Sequence, residues 1–207
     1  MFQQTHRHIV FTFSIFFSLS VFATTEKVTE ELTFSTGMAS LSYTETSTDL
    51  TGENIAERTS GSVSSITGRL SYKFMARPNY AFYITGSFPM LSSNTGSYFN
   101  GAVGVEFFLN ELGHQTILAL EGKEIKLTPT LRYYVGVEGG GAYFTYFTET
   151  AQKQDYGLEL TATGGMIYNI DRKWSIKGDA AVSRGIGPAT NTFVTKFFVG
   201  AVMFLGD

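Results

Sequence analysis

Cysteine is absent from this chain, proline occurs only four times, and acidic and basic residues nearly balance. Without cysteine the protein has neither a disulfide framework nor a thiolate metal site. A formal net charge of -3 gives no electrostatic attraction for a phosphate backbone, which argues against a nucleic acid partner. Beyond the N-terminal region there is no run of about 18 apolar residues, so the sequence predicts no membrane-spanning helix.

Histidine is scarce as well, and its scarcity restricts catalysis and metal binding. His6 and His8 lie in the N-terminal region, which leaves His114. A Ser-His-acid triad needs its histidine beside the nucleophile, and no serine is near His114 in the sequence. One histidine supplies too few ligands for a histidine-based zinc site, and Gly139–Gly141 lacks the Gly-Lys-Ser/Thr ending of a phosphate-binding loop. The sequence therefore predicts no catalytic residue, no cofactor and no metal, and the chain is interpreted as a non-enzyme.

The N-terminus has the three parts of a secretion signal. Met1–Arg7 is weakly cationic, Ile9–Phe22 is apolar, and the small residue Ala23 precedes a polar stretch. The apolar run is shorter than the roughly 20 residues that a membrane anchor needs. We therefore predict a signal peptide over residues 1–23, cleaved after Ala23, and a single domain over residues 24–207.

The feature that the sequence has in abundance is the alternation of apolar and polar side chains. It is clearest from Ser65 to Ala76, where a period of two places the two sets on opposite faces of a sheet. The predicted strands exceed the five or six residues that are usual in soluble sheets and match a tilted membrane strand of roughly 9–11 residues with extensions. The sequence thus predicts an all-β fold, an eight-stranded antiparallel transmembrane β-barrel. Its strands are Glu31–Thr44, Ser64–Ala76, Asn79–Leu91, Ser97–Asn110, Thr128–Phe147, Asp155–Asn169, Lys173–Arg184 and Asn191–Leu205.

Three segments are less regular. The first strand changes phase near Ala39, which a β-bulge would absorb. The fifth strand carries Gly139–Gly141, which suits a bend in a curved wall. Glu111–Leu127 is long for a turn, and it is interpreted as a small helix, a hairpin at the rim or a spanning hairpin. The spanning hairpin would give a barrel of ten strands.

The connections between the predicted strands alternate in character. Arg77-Pro78 and Ile170–Arg172 are tight turns, whereas three other connections are longer and polar. The longer connections are Glu45–Val63, Thr148–Gln154 and Gly185–Thr190. Short turns lie on the periplasmic side of outer-membrane barrels, so this pattern predicts that both termini are periplasmic.

The polar face of the predicted strands carries charges that nearly balance, and a narrow lumen would let them pair. An eight-stranded barrel has just enough room for its own side chains, which favours a plugged, structural lumen. A path for ions or small solutes lined by these charges is the alternative. The predicted lumen charge network is Arg69, Lys73, Glu106, Arg132, Glu138, Glu159, Lys177, Asp179 and Lys196.

Aromatic residues lie near both ends of the apolar face, as they do in the girdles at the two membrane interfaces. The alternative is a soluble exported barrel in which the apolar face points inward and holds an apolar ligand. The predicted girdle is Phe74, Tyr80, Phe107, Tyr168 and Trp174 toward the tight turns, with Phe88, Phe99, Phe147, Tyr156 and Phe193 toward the longer loops.

A signal peptide, alternating strands, short turns and an apolar C-terminal strand together resemble the small outer-membrane β-barrels of the opacity-protein and OmpA membrane-domain type. The resemblance covers Glu31 to Leu205 and rests on pattern rather than on a motif. It implies recognition by the barrel-assembly machinery through the last strand. Members of the family usually end on an aromatic residue, whereas here Gly206 and Asp207 follow Leu205. The lipid-modifying enzymes of the family rely on a histidine beside a serine or an acid, and this chain shows no such set.

The expected function is therefore that of a non-enzymatic outer-membrane β-barrel with a structural role in the envelope or a surface-interaction role through its extracellular loops. A narrow channel for small or apolar solutes is the second hypothesis, and the soluble ligand-binding barrel is the third. We expect a monomer in the outer membrane of a Gram-negative bacterium, in contact with outer-membrane lipid and lipopolysaccharide.

Overall fold

Eight long antiparallel strands close into a barrel in the computed structural model. The structure describes residues 30–45, 60–77, 79–91, 96–110, 116–120, 123–127, 130–147, 152–171 and 173–205. The predicted signal peptide lies outside these residues. The barrel strands are β1 (Glu30–Glu45), β2 (Ser60–Arg77), β3 (Tyr80–Leu91), β4 (Gly96–Phe108), β7 (Leu131–Phe147), β8 (Gln152–Asn169), β9 (Trp174–Ile186) and β10 (Thr190–Phe204). No helix within the described ranges has the length and apolar character needed to cross a membrane.

The first and last strands close the barrel. β1 pairs with β10 from Glu31 opposite Phe204 to Glu45 opposite Thr190, and every other neighbouring pair of barrel strands is also antiparallel. Closure satisfies the edge hydrogen bonds that an open sheet would expose. The prediction of an eight-stranded antiparallel β-barrel is confirmed.

The predicted ten-stranded alternative is wrong. The two short strands β5 (Thr116–Leu120) and β6 (Lys123–Leu127) pair with each other in a sheet of their own, and β4 pairs directly with β7. Strands of five residues are too short to cross a membrane, which takes about 9–11 residues per strand. Of the three predicted structures for this segment, the hairpin outside the barrel wall is the one observed.

The predicted bulge near Ala39 is absent. β1 keeps an unbroken register with both β2 and β10 on either side of Ala39. What changes there is polarity, because beyond Ala39 the inward residues are Leu41 and Tyr43 while the outward residues are Ser40 and Ser42. β1 is thus polar inside and apolar outside in its first half, and the reverse in its second half.

The connections are less asymmetric than predicted. We call the end of the barrel at which β2 leads into β3 and β8 leads into β9 the turn end, and the opposite end the loop end. The prediction of a long polar loop at Gly185–Thr190 is wrong, since only residues 187–189 connect β9 to β10. This connection is a tight turn, in which the backbone N–H of Gly187 donates to the carbonyl of Thr190 at 2.8 Å. The predicted loop at 148–154 is likewise shortened, because β8 begins at Gln152. That the turn end is periplasmic stays a prediction.

Candidate functional site: a filled lumen inside an apolar wall

The outward face of the barrel is an apolar belt made of exposed large side chains. Leu158 is 77% exposed, and aliphatic or aromatic residues of all eight barrel strands are outward. Each of the ten predicted girdle residues points outward, with Phe74 and Tyr80 half-buried and the other eight exposed. Some of them pack across neighbouring strands, as Tyr80 and Phe107 do with ring centres 6.3 Å apart. Their role at a membrane interface stays a prediction.

The inward face carries the charges. All nine residues of the predicted lumen network are buried, and Glu31 of β1 joins them with none of its surface exposed. The soluble-barrel alternative predicted that the apolar face points inward. In the described barrel strands the charged face points inward and most of the large apolar side chains point outward. Sequence reasoning missed Glu31, although it shares the alternate positions of Thr33 and Ser35, opposite Leu32 and Phe34. With Glu31 included, the ion-paired set has five acids and five bases.

The charges nearest the turn end form the first half of a chain that alternates in sign. The guanidinium of Arg132 lies 3.3 Å from the carboxylate of Glu31, whose other oxygen lies 3.1 Å from the amine of Lys73. Lys73 then contacts Glu106 at 2.5 Å, and Glu106 contacts Lys177 at 2.9 Å. Each inner member of this chain therefore lies between two charges of the opposite sign, which offsets the cost of removing it from water.

The chain continues toward the middle of the barrel. Lys177 lies 3.7 Å from Asp179, which is 3.4 Å from Arg69, and Arg69 lies 2.8 Å from Glu138. The hydroxyl of Tyr83 donates to Glu138 at 3.0 Å and completes its coordination. Eight charged side chains from five strands thus connect the walls across the lumen.

The remaining two predicted charges form a separate pair closer to the loop end. The amine of Lys196 contacts Glu159 at 2.5 Å, and the same carboxylate accepts hydrogen bonds from Tyr98 at 2.6 Å and from Thr161 at 3.1 Å. The two charges of this pair therefore compensate each other without contact to the alternating series of eight charges.

The cations of the lumen also lie against aromatic rings. Arg132 is between Phe108 and Phe204, with its guanidinium carbon 5.1 and 5.6 Å from the ring centres. Lys177 is 4.5 Å from the ring centre of Tyr134. Cation–π contacts of this kind hold long, flexible side chains in place and displace water from around them. The other cation–π contacts are those of Arg69 with Phe198, Lys73 with Phe108 and Tyr134, and Lys196 with Tyr98.

Two apolar clusters also lie inside the barrel and pack against the charges. Toward the turn end, Met75, Ala81, Phe108, Tyr134 and Ile167 pack together inside the barrel. Toward the loop end the second cluster is larger, and its buried members are Ala39, Leu41, Tyr43, Val63, Tyr98, Phe144, Tyr146 and Val194. Buried charged and apolar side chains therefore occupy the lumen, as expected for eight strands.

Comparison with known proteins finds similar folds among solved structures alone. No protein-family model and no curated protein matches the chain. Among solved structures, Neisserial surface protein A matches with a TM-score of 0.55 and 9% identity, over 86% of this chain and 99% of that one. The outer membrane protein OprG of Pseudomonas aeruginosa matches with a TM-score of 0.52 and 11% identity, over 86% and 96%. The N-terminal β-barrel domain of Pseudomonas aeruginosa OprF gives 0.51 and 8%, over 83% and 97%.

The chain has the fold of the small outer-membrane β-barrels. In this fold the apolar outward face is the one that lipid contacts, and the polar inward face is enclosed. The belt and the charged lumen are therefore consistent with each other and with the fold.

At the loop end of the barrel, a small polar network lies beyond the apolar belt. Glu45 accepts a hydrogen bond from the hydroxyl of Tyr146 at 2.6 Å and pairs with the amine of Lys153 at 3.0 Å. Burial raises the pKa of Glu45, but the hydrogen bond from Tyr146 and the charge of Lys153 outweigh it and bring this pKa below its ordinary value of 4.5. Burial, together with the neighbouring carboxylate of Glu45, raises the pKa of Tyr146 above its ordinary value of 10.0.

The lowered pKa of Glu45 predicts a small pH-dependent contribution to stability. A carboxyl group whose pKa is lower in the folded than in the unfolded state stabilises the fold above its unfolded pKa, and the contribution disappears as the pH falls through the folded pKa. We expect Glu45→Gln to lower the free energy of unfolding at pH 7 by up to about 1 kcal/mol, because Lys153 is half exposed. Urea titrations at pH 7 and at successively lower pH values measure this difference, which should shrink as the pH falls and vanish once Glu45 is protonated in the folded protein. A loss of equal size at every pH would contradict the assignment.

Proposed function

We propose that the protein is a non-enzymatic barrel of the outer membrane that keeps a closed lumen and holds its loop end outside the membrane as a surface-interaction or structural element. The observation that carries the proposal is the occupied lumen, in which paired charges pack together with two apolar clusters. The fold shared with outer-membrane proteins and the apolar belt support the location. A lumen filled in this way favours a scaffold over the channel hypothesis.

The loop end supports a role outside the membrane. Beyond the belt, β1 and β2 continue as a paired extension in which Ser40 lies opposite Ser64 and Ser42 opposite Ser62, all outward. The inward residues of this extension belong to the larger apolar cluster. A sheet that is polar outside and apolar inside is suited to water, so the extension provides a rigid, solvated support for the connection at residues 46–59.

Fractionation and conductance test this proposal together. We expect the chain in the outer-membrane fraction, an electrophoretic mobility in SDS that changes on boiling, and no stepwise conductance when the folded protein is inserted in planar bilayers. A freely soluble chain without a mobility change would contradict the membrane location. Steady conductance through the inserted wild-type barrel would contradict the closed lumen and favour the channel. The same preparation shows whether the barrel is a monomer, as we propose.

A further inference from the structure

Arg184 of β9 is a charged residue on the outward face of the barrel, which is otherwise mainly apolar. It is exposed and outward, between the buried residues Ser183 and Gly185. Directly opposite it are Leu160 of β8 and Phe193 of β10, both exposed and apolar. Among the strand residues whose side chains the structure describes, Glu30, the first residue of β1, is the other charge at an outward position.

The electrostatic setting of Arg184 differs from that of the lumen cations. Each of the five cations of the lumen has an acidic partner within 3.4 Å. Arg184, in contrast, makes no hydrogen bond or ion pair with any residue that the structure describes. A cation on the lipid-facing wall is unfavourable in the middle of the hydrocarbon and tolerated near the interface, where its long side chain reaches polar groups. Arg184 is two residues from the loop end of β9, which is where such an interface lies.

A groove of about 780 Å³ opens in the outward face beside Arg184. Gly101 of β4 and Gly141 of β7 are paired with each other and form its floor. A Cβ atom added at Gly101 would meet nothing within 4 Å, and one at Gly141 would meet its nearest atom at 4.0 Å. The groove exists because these two outward positions have no side chains. Its walls are Phe99, Tyr143, Tyr156, Leu158, Ile186 and Pro188.

The groove and the cation are adjacent. Ile186 in the groove wall is the next outward residue after Arg184 on β9, and outward neighbours on one strand are about 7 Å apart. Ile186 also lies opposite Leu158 of the same wall, just as Arg184 lies opposite Leu160. An amphipathic molecule that places its apolar part in the groove therefore has a guanidinium within reach of its polar part.

We propose that Arg184 and this groove bind the phosphorylated glycolipid of the outer leaflet, the lipid A part of lipopolysaccharide, with a phosphate on Arg184 and an acyl chain along the groove. A guanidinium offers two parallel N–H donors that match phosphate oxygens, and the pairing is charge-assisted. The apolar walls favour a flexible hydrocarbon chain. With the turn end on the periplasmic side, as the sequence predicts, the position near the loop end places the site in the outer leaflet, which this lipid forms. The inference rests on the outer-membrane location under the proposed function.

Binding to the folded full-length chain in detergent micelles tests the inference, with native mass spectrometry as the readout and a boiling-dependent mobility shift as proof of folding. The probes are lipid A, the same lipid without phosphates, and phosphatidylglycerol. We expect Arg184→Gln to weaken lipid A binding about tenfold or more, and Arg184→Lys to weaken it less. Removing the phosphates should weaken binding to the wild type as strongly and should have no further effect on Arg184→Gln.

A matched pair of glycine variants tests the groove. Gly141→Leu fills the floor, so we expect it to weaken lipid A binding about tenfold or more while Arg184 is intact. Gly178→Leu is the control, because Gly178 also points outward into open space but does not line the groove. It should bind lipid A as the wild type does.

The outcomes separate the inference from the proposed function. A heat-shifted barrel whose lipid A affinity is unchanged by Arg184→Gln overturns the inference alone. Equal binding of phosphatidylglycerol and lipid A overturns the assignment to the glycolipid. A chain that stays in water without a mobility shift overturns the proposed function and the inference with it.

Discussion

Replacing Glu106 with glutamine is expected to lower the free energy of unfolding of the barrel by about 3 to 5 kcal/mol. Glu106 is buried and lies between the amines of Lys73 and Lys177, at 2.5 and 2.9 Å. Glutamine has the same shape but no charge, and its amide group would present N–H donors to one of two ammonium groups. Both cations would stay buried, each with a single acid remaining. The cost is that of an uncompensated buried charge rather than the loss of one hydrogen bond.

Urea titration in micelles measures this loss, and Trp174, the single tryptophan of the chain, reports unfolding from the outward face. Glu45→Gln is the matched control, because Glu45 also pairs with a lysine but at the half-exposed loop end. It should cost no more than about 1 kcal/mol. The double variant Glu106→Gln with Lys177→Met should recover part of the loss, since it removes one of the stranded cations. A loss below about 1 kcal/mol for Glu106→Gln would indicate that water reaches the lumen and solvates both amines.

The fold followed from the sequence because a barrel of this class repeats one simple physical pattern. The stretch from Ser65 to Ala76 alternates so strictly that its inward and outward residues were evident without any tertiary information. The phase change near Ala39 was detected as well, but it was attributed to backbone geometry. The structure shows an unbroken register and a reversal of polarity, which the proposed membrane location explains as a change from lipid-facing wall to solvated extension. Alternation alone reports which residues share a face and not what that face contacts.

The lumen shows where sequence reasoning ends. The alternate positions placed nine charges inside, and they are inside, because parity is a local property of each strand. The partners are not local, since Arg132 and Glu31 are 101 positions apart and meet only when the barrel closes. Glu31 was missed because β1 looked irregular as a whole, although its first half alternates well. Arg184 is a different case, because it occupies an outward position of β9 at which the alternation predicts an apolar residue.

The groove illustrates a further limit. Gly139–Gly141 was interpreted as one unit that bends the wall, but the three glycines have different surroundings. Gly139 and Gly141 face outward into open space, whereas Gly140 faces inward against β4. The requirement for glycine at 140 comes from a strand that lies about 40 residues earlier in the sequence, so it was invisible until the strands were paired.

This difference predicts that Gly140→Ala destabilises the barrel strongly while its two neighbours tolerate the same change. A Cβ atom at position 140 would lie 2.0 Å from the carbonyl oxygen of Gly101, which is backbone and has no rotamer to adopt. β4 would have to move away from β7 and lengthen the hydrogen bonds between them. We expect a loss of about 3 kcal/mol or more, at the upper end of the range for overpacked sites. Urea titration and the boiling-dependent mobility shift both measure it.

Gly139→Ala and Gly141→Ala are the matched controls, because a methyl group there meets no atom closer than 4.0 Å. Each should change the free energy of unfolding by no more than about 0.5 kcal/mol, or stabilise slightly by restricting the unfolded chain. Equal tolerance at all three positions would mean that β4 and β7 are not paired in this register, with Gly140 opposite Ala102. The outward groove, whose floor is Gly101 and Gly141, depends on the same register. A selective loss at position 140 would therefore support both the strand pairing and the place where we propose that lipid A binds.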